Sequence, residues 1–341
     1  MTTLLVASTG GHLAELVLLR RYLVPLDEDV VWVTFDTPQS RSLLHGEQVE
    51  FLPYIAPRQV GKVLVGLREA RRLLDRYPVT KVISTGSAIA LAVLPLAARR
   101  GIACDYVEAA ARLDGPSTTG ALLARVKGIR TFTQWGCWAS EKWPVTTSVF
   151  ENYRPDAPAE PVTELRKVVV SLGTIEGYSF RRVVERLLQI LPPECEVLWQ
   201  TGSTDIRDLP IAASPLLPPE TLQAAMCSAD VVISHAGVGS ALSVLALGRR
   251  PVLVPRRAEH GEHVDDHQVQ IAQELADREL GLMHDASELT YEDLLAAAAK
   301  RVAPSAERRV RGGRERFKPR ADRRVDARDS TRENAWKHEN A

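Results

Sequence analysis

Three short segments of the chain combine glycine with histidine or serine directly after an apolar run. The first, Ser8-Thr9-Gly10-Gly11-His12, follows apolar residues 4–7 and precedes a helix-like segment. Glycines let backbone N–H groups approach a ligand, and the histidine imidazole titrates near neutral pH. The segment is a candidate nucleotide cradle, catalytic site or tight turn. Its spacing does not match the dinucleotide pattern G-x-G-x-x-G.

The second segment, His235-Ala236-Gly237-Val238-Gly239-Ser240, stands between apolar residues 231–234 and a helix-like run at 241–247. A helix start offers unpaired N–H donors and the positive end of the helix dipole, which suit a phosphate. A third segment, Gly173-Thr174, follows apolar residues 168–172 in the same way. Two such turns on one sheet predict a diphosphate site, with two plain turns as the alternative.

Two polar segments also follow predicted strands in the second half of the chain. Asp265-Asp266-His267-Gln268 opens a helix-like run at 269–275, and Gln200-Thr201-Gly202 follows residues 197–200. Carboxylate and amide groups at a helix start either bind sugar hydroxyls or cap the helix. The sequence leaves both interpretations open, and it leaves Gln200 and Gly202 open as an ordinary turn.

Short apolar runs that alternate with longer helix-like segments must position these loops. Such alternation predicts parallel sheets covered by helices on both faces, an α/β fold. Open sheets of this kind bind ligands at the carboxyl ends of their strands. The predicted strands are residues 4–7, 30–34, 81–84, 168–172, 197–200, 231–234 and 251–255.

The chain of 341 residues is long enough for two domains. Three prolines between positions 155 and 161 predict a linker, with a boundary near 155–165. We therefore predict domains at 1–160 and 161–305, each doubly wound, facing each other across a cleft. Residues 306–341 carry 12 Lys or Arg against 7 Asp or Glu and predict a basic, solvated tail, for which membrane-surface contact is one interpretation.

Composition excludes several classes of protein. Lys plus Arg and Asp plus Glu are equal at 43 each, which gives no electrostatic reason to expect a nucleic-acid partner. Four widely separated cysteines argue against a disulfide framework or structural zinc site and favour the cytoplasm. No apolar run reaches the ~20 residues of a spanning helix, so we expect membrane contact to be peripheral. Trp135, Trp138 and Trp143 predict core packing, with an acceptor platform or interfacial patch as alternatives.

Several motifs, in order along the chain, resemble the MurG-like group of GT-B glycosyltransferases. The second half resembles their donor domain and the catalytic subunit that adds the second N-acetylglucosamine to dolichol-diphosphate-linked N-acetylglucosamine. The first half resembles the partner subunit of that enzyme and the PssD-type proteins, here fused in one chain. The matching residues are Ser8–His12, Ser84-Thr85-Gly86, Tyr106-Val107-Glu108-Ala109-Ala110-Ala111-Arg112, Thr133-Gln134-Trp135, Ser234–Ser240, Leu247-Gly248-x-x-Pro251-x-x-x-Pro255 and His267-Gln268.

The resemblance implies a nucleotide-diphosphate sugar in the second domain. It assigns Gln268, with His267, to sugar hydroxyls, and Gln200 and Gly202 to the nucleoside. The residues that would surround the diphosphate are Gly173, Thr174, His235, Ala236, Gly237, Gly239 and Ser240. Oriented N–H donors at a helix start stabilise a leaving diphosphate without a metal, so no metal or other cofactor is expected. The one literal D-x-D, at residues 27–29, precedes a strand of the other half and reads as a solvated loop.

The resemblance also implies an acceptor site in the first domain. His12 is the expected general base, because a group titrating near neutrality suits proton removal from a hydroxyl. Glu108 is the rival base or an acceptor-binding group, or else an ion-pair partner of Arg112 one helical turn on. For an acceptor with a diphosphate, Thr9, Gly10, Gly11 and Arg112 are the expected contacts.

One residue departs from the family pattern. Three residues past Ser240 the family places a glutamate that binds the ribose hydroxyls, whereas this chain has Ser243. A hydroxyl cannot replace a bidentate carboxylate, so thymidine-diphosphate sugars enter as possible donors. The sequence therefore predicts an inverting transferase that moves a UDP-linked N-acetylglucosamine, hexose or hexuronic acid to a lipid-linked or secondary-metabolite acceptor. A nucleotide-sugar 2-epimerase and a non-catalytic nucleotide-sugar-binding protein are the alternatives.

Overall fold

The structure, a computed structural model, describes residues 1–53, 60–157, 161–173 and 177–305. The predicted basic tail and the predicted diphosphate contact Thr174 lie outside these ranges. Within them the chain forms two parallel sheets, each covered by helices, and one short antiparallel pair.

The first sheet is built from the first 132 residues, and its strand order is β3-β2-β1-β4-β5-β6. Every strand pair in it is parallel. The elements are β1 (Thr2–Ala7), α1 (Gly11–Leu23), β2 (Asp29–Phe35), α2 (Pro38–Leu43), β3 (Val49–Leu52), α3 (Val60–Arg76), β4 (Val79–Gly86), α4 (Ala88–Arg99), β5 (Ala103–Val107), α5 (Thr118–Leu123) and β6 (Ile129–Phe132).

The second sheet repeats this order as β10-β9-β8-β11-β12-β13 and is also parallel throughout. The elements are β7 (Tyr153–Pro155), β8 (Lys167–Ser171), α6 (Arg181–Ile190), β9 (Glu196–Gln200), β10 (Ala213–Ser214), α7 (Pro219–Ser228), β11 (Val231–Ser234), α8 (Val238–Ala246), β12 (Val252–Leu253), α9 (His267–Asp277), β13 (Leu282–Met283), α10 (Tyr291–Ala298) and β14 (Val302–Pro304). Strand β7, which ends at the first of the three prolines, pairs antiparallel with β14.

Both sheets reverse their strand order beside the first strand, between β1 and β4 and between β8 and β11. Ligand crevices of doubly wound sheets lie at this point, outside the carboxyl ends of the strands. The loops after β1 and β4 and the loops after β8 and β11 therefore open the two expected sites. The α/β fold and all seven predicted strands are confirmed.

Apolar packing fixes both sheets and also joins them. All six residues of β1 are buried, as expected for a central parallel strand. One apolar cluster takes Val107, Trp135 and Phe150 from the first half and Leu242 and Leu275 from the second. The two halves therefore share a core at their interface.

The tryptophans near residue 140 belong mainly to the protein interior. Trp135 and Trp143 are 4% and 7% exposed, and Trp138 donates its indole N–H to the Arg112 carbonyl at 2.9 Å. The expectation of core packing is confirmed for Trp135 and Trp143. Among the described residues, no helix is both long and apolar enough to cross a membrane.

Candidate functional site

The amino-terminal ends of α1 and α8 meet where the two halves face each other. A methyl group added to Gly239 would lie in van der Waals contact with the Gly11 Cα, at 3.4 Å, so the two helix starts are direct neighbours. Each helix start presents unpaired N–H groups and a positive dipole end. The predicted acceptor loop and the predicted donor loop are thus adjacent, and their shared surface favours an anion.

His12, at the start of α1, is held in one orientation by the loop that follows β4. Its Nδ1 lies 2.9 Å from the Thr85 carbonyl, while the Thr85 hydroxyl donates to the His12 carbonyl at 2.7 Å. Burial lowers the pKa of His12, the Thr85 carbonyl opposes this shift, and the charge of Arg112 lowers it further. Because a carbonyl only accepts, the neutral ring carries its proton on Nδ1, which leaves Nε2 with a lone pair.

The other predicted acceptor residues surround this histidine. Gly10 has a φ of +89°, which favours glycine, and its N–H donates to the Gln39 side chain at 2.7 Å. Thr9 is partly buried beside it. Arg112 is about half exposed and lies 4.0 Å from the Asp265 carboxylate. The guanidinium therefore points towards the second half of the chain.

Glu108, predicted as a base or an acceptor contact, is buried and bonded within its own loop. Its side chain is 1% exposed, and it accepts hydrogen bonds from the N–H groups of Ala109 (3.1 Å) and Ser117 (2.9 Å) and from the hydroxyls of Ser117 and Tyr106. Burial raises its pKa. Residues 109–112 form a turn rather than a helix, so the expected helical ion pair with Arg112 is wrong. The buried carboxylate therefore holds the loop between residues 108 and 117.

A second buried carboxylate, Glu15, was missed by the sequence reasoning. It accepts hydrogen bonds from the Ala110 N–H at 2.9 Å and from the Gln134 amide at 3.0 Å. Gln134 also donates to the Glu108 carbonyl and accepts from the Val149 N–H. Burial raises the pKa of Glu15 to about 7, and the charge of Glu108 adds to the shift. This network ties α1 to the loop that carries Arg112.

On the donor side, His235 lies between the glycines of the two predicted phosphate turns. An added Cβ would lie 2.6 Å from the imidazole at Gly173 and 2.4 Å from it at Gly237, so neither position accepts a larger residue without movement of the ring. Burial, followed by the charge of Arg256, lowers the pKa of His235 to about 4. The imidazole is therefore neutral and borders a cradle of backbone N–H groups.

The remaining residues of the α8 loop have distinct surroundings. Ala236 is fully buried in the apolar cluster that joins the halves, so it contributes backbone alone to a site. Gly239 and Ser240 are partly exposed in the first turn of the helix. The Ser243 hydroxyl is exposed and donates to the Gly239 carbonyl one turn back, at 2.9 Å.

Two glutamines expected to contact the donor are engaged within the protein. Gln200 is 5% exposed; its amide donates to Ser171 and its carbonyl accepts from the Leu217 N–H. Gln268 is 3% exposed and accepts from the Arg256 N–H at 3.1 Å. Gly202 has a φ of +61° in the turn after β9. Gln200 and Gly202 thus shape the end of β9.

Arg256 is a second residue that the sequence reasoning did not identify. Its side chain is fully buried and donates to the carbonyls of Leu172, Tyr178 and Glu262 at 2.8, 2.9 and 3.3 Å. Burial lowers its pKa to about 10, opposed by the charge of Glu262. The guanidinium ties the loop after β8 to the loop after β12, which carries Arg256 itself. Its position directly after predicted strand 251–255 was the available signal.

A cavity of about 330 Å³ lies between residues 111–116 and the start of α9. Arg112 and Asp265 face each other across it, and the Gln270 amide donates to Asp114. His267, predicted to contact the sugar, lines the cavity and bonds Asp265 through Nδ1. The cavity is thus bounded on one side by residues 111–116, which include the predicted acceptor contact Arg112, and on the other by the predicted sugar-binding segment.

Comparisons with known proteins agree with this arrangement. Residues 168–323 match the glycosyltransferase family 28 C-terminal domain. The chain is 24% identical to UDP-N-acetylglucosamine–N-acetylmuramyl-(pentapeptide) pyrophosphoryl-undecaprenol N-acetylglucosamine transferase of Histophilus somni, across 79% of this chain and 80% of that protein. It is 43% identical over 56 residues to UDP-N-acetylglucosamine transferase subunit ALG13 of Yarrowia lipolytica, which covers 16% of this chain and 26% of that subunit.

The fold is similar to the crystal structure of MurG from Acinetobacter baumannii. The TM-score is 0.51 at 23% sequence identity, across 87% of this chain and 89% of that chain. In this chain the similar region consists of two doubly wound sheets with the same strand order. Residues 168–323 therefore resemble the glycosyltransferase family 28 C-terminal domains, and the protein is a MurG-like glycosyltransferase of the GT-B fold.

Proposed function

We propose that the protein transfers a sugar, with inversion and without a metal, from a UDP-linked donor to a lipid-linked saccharide. N-acetylglucosamine is the first sugar to test, because it is named for both the Histophilus and the Yarrowia relatives. The acceptor class is supported by the pyrophosphoryl-undecaprenol in the name of the Histophilus enzyme. A lipid-linked acceptor would bring the protein to a membrane surface as a peripheral protein.

The neutral His12 ring, with Nδ1–H on Thr85 and a lone pair on Nε2, carries this proposal. In the proposed step the acceptor oxygen attacks the anomeric carbon while the bond from that carbon to the phosphate oxygen breaks. The hydroxyl proton passes to His12 Nε2, and the nucleoside diphosphate leaves with the electron pair of the broken bond. Attack opposite to the leaving group inverts the anomeric centre.

The reaction also requires stabilisation of the negative charge on the leaving diphosphate. N–H groups at the start of α8, in the Gly237 to Ser240 turn, face the charge that develops on it, and the helix dipole acts in the same direction. Arg112 adds a positive charge from the first half. Fixed donors of this kind stabilise the transition state without a metal ion.

The experiment measures UDP release from UDP-N-acetylglucosamine, UDP-glucose and UDP-glucuronic acid with a polyprenyl-diphosphate saccharide as acceptor. His12→Ala is expected to lower kcat by about 10²–10⁴, the usual contribution of a general base, with donor affinity by calorimetry nearly unchanged. His45→Ala, an exposed histidine of the same half, is the control. Unchanged turnover in His12→Ala would remove His12 as the base.

Three further arms test the finer statements. The anomeric configuration of the product, read by NMR, tests inversion, and full activity in excess EDTA tests independence of metals. A sample with donor and no acceptor separates transfer from epimerisation, because an epimerase converts the donor alone. Absence of binding to every nucleotide sugar would favour a non-catalytic protein.

A further inference from the structure

Three side chains at the start of α9 bring metal-binding atoms together at the edge of the cavity. His263, Asp265 and His267 alternate along the chain, and one ligand atom from each lies within 4.8 Å of the others. Two imidazole nitrogens and a carboxylate oxygen are the ligand set of open zinc sites, in which a water or substrate takes the fourth position.

His263 shows that this cluster is not satisfied by its own hydrogen bonds. Its side chain is only 9% exposed, and its buried Nδ1 makes no hydrogen bond of normal geometry among the described residues. That nitrogen lies 3.4 Å from the same Asp265 oxygen that bonds His267. A buried nitrogen without a well-formed hydrogen bond is destabilising, so a ligand that engages it would stabilise the site.

The rings are held in this orientation by their neighbours. His263 stacks on Tyr178, with ring centres 5.6 Å apart at 24°. It meets His267 edge to face, with ring centres 4.6 Å apart at 83°. Both nitrogens therefore face Asp265 before any ion arrives, which lowers the cost of assembling the site.

We propose that His263, Asp265 and His267 bind a divalent transition-metal ion of the zinc class, with the remaining coordination position open to the cavity. Arg112 places a positive charge 4.0 Å from the second Asp265 oxygen, and the charge of Arg256 also acts on His263. Under the proposed function, His267 also contacts the donor sugar. The ion and the sugar would then compete for the His267 ring.

Binding is measured on the full chain without substrate, by calorimetry with Zn²⁺ and by the visible absorption of bound Co²⁺. One ion per chain is expected, with affinity reduced by at least about tenfold in Asp265→Asn and in His267→Ala. His260→Ala, an exposed histidine of the same segment, should bind as the parent does. Arg112→Ala should bind the ion more tightly, because it removes the opposing charge.

Two results would overturn the site. One is the absence of stoichiometric ion binding to the parent, and the other is an ion affinity of Asp265→Asn and His267→Ala equal to that of the parent. Thermal unfolding of each variant, compared with the parent, separates a lost ligand from a lost fold. The competition is tested by measuring UDP and UDP-N-acetylglucosamine affinity with and without Zn²⁺. Competition is supported if Zn²⁺ lowers the affinity for UDP-N-acetylglucosamine but not the affinity for UDP. It is refuted if the chain with bound Zn²⁺ has the same affinity for UDP-N-acetylglucosamine as the chain without the ion.

Discussion

Substitution of Glu15 by glutamine isolates the electrostatic cost of the buried network behind the acceptor loop. Glu15 is 2% exposed, and burial raises its pKa from the ordinary 4.5 to about 7. A raised carboxyl pKa means that its contribution to stability is complete below the unfolded value and is lost as pH rises through the folded one. The predicted loss between pH 5 and pH 8 is about 2.5 kcal/mol.

Glutamine should remove this loss because it resembles the protonated acid. Its carbonyl can accept from the Ala110 N–H and the Gln134 amide, as one Glu15 oxygen does now. We therefore expect the unfolding free energy of Glu15→Gln, relative to the parent, to rise by about 2.5 kcal/mol from pH 5 to pH 8. Urea denaturation across this range measures the difference.

Two comparisons make this test specific. Glu108 and the other titrating groups are present in both proteins, so their effects largely cancel in the difference. Glu15→Ala removes the acceptor altogether and should destabilise at every pH, by about 1–3 kcal/mol for each buried donor left unpaired. Parallel pH profiles for the parent and Glu15→Gln would refute the reasoning, since they would mean that Glu15 titrates alike in the folded and unfolded chain.

Three other substitutions test the loops. Gly237→Ala would place a Cβ 2.4 Å from the His235 ring, so donor affinity by calorimetry should fall about tenfold or more; Gly136→Ala, in open space, is the control. Gly239→Val should separate α1 from α8, raising the radius of gyration in X-ray scattering and lowering kcat. Ser243→Glu should tighten UDP about 10-fold or more over thymidine diphosphate, because charged hydrogen bonds contribute about 1.5–3 kcal/mol; equal gains for both nucleotides would contradict a ribose contact.

The central strands could be predicted from the sequence because they are buried on both faces and read as continuous apolar runs. Strands β3 and β5 were not among the predicted ones. β3 carries Glu50, and β5 carries Asp105, whose carboxylate is paired by Arg130 from the neighbouring strand. A charged residue in a short run hides the strand signal, and only the tertiary partner explains why it is tolerated there.

The site could be predicted at the level of loops but not of side-chain partners. Glycine-rich turns after strands are local features, so the loops that carry His12, Gly173 and His235 could be located from spacing. The surroundings of Glu108 and Gln268 depend on residues distant in sequence or on a buried backbone group, such as the Arg256 N–H. For the same reason Glu15 looked like one more polar residue of an amphipathic helix.

The apolar cluster between the two halves resists their separation. Domain interfaces within a chain are usually polar and permit relative motion, whereas this one buries Trp135 and Phe150 against Leu242 and Leu275. Exposing such side chains costs about 1.5–3 kcal/mol each. The arrangement of the two halves seen here is therefore favoured before any ligand binds. Because the cluster packs beneath α8 and α9, the same apolar contacts that join the two halves also fix the predicted donor loops.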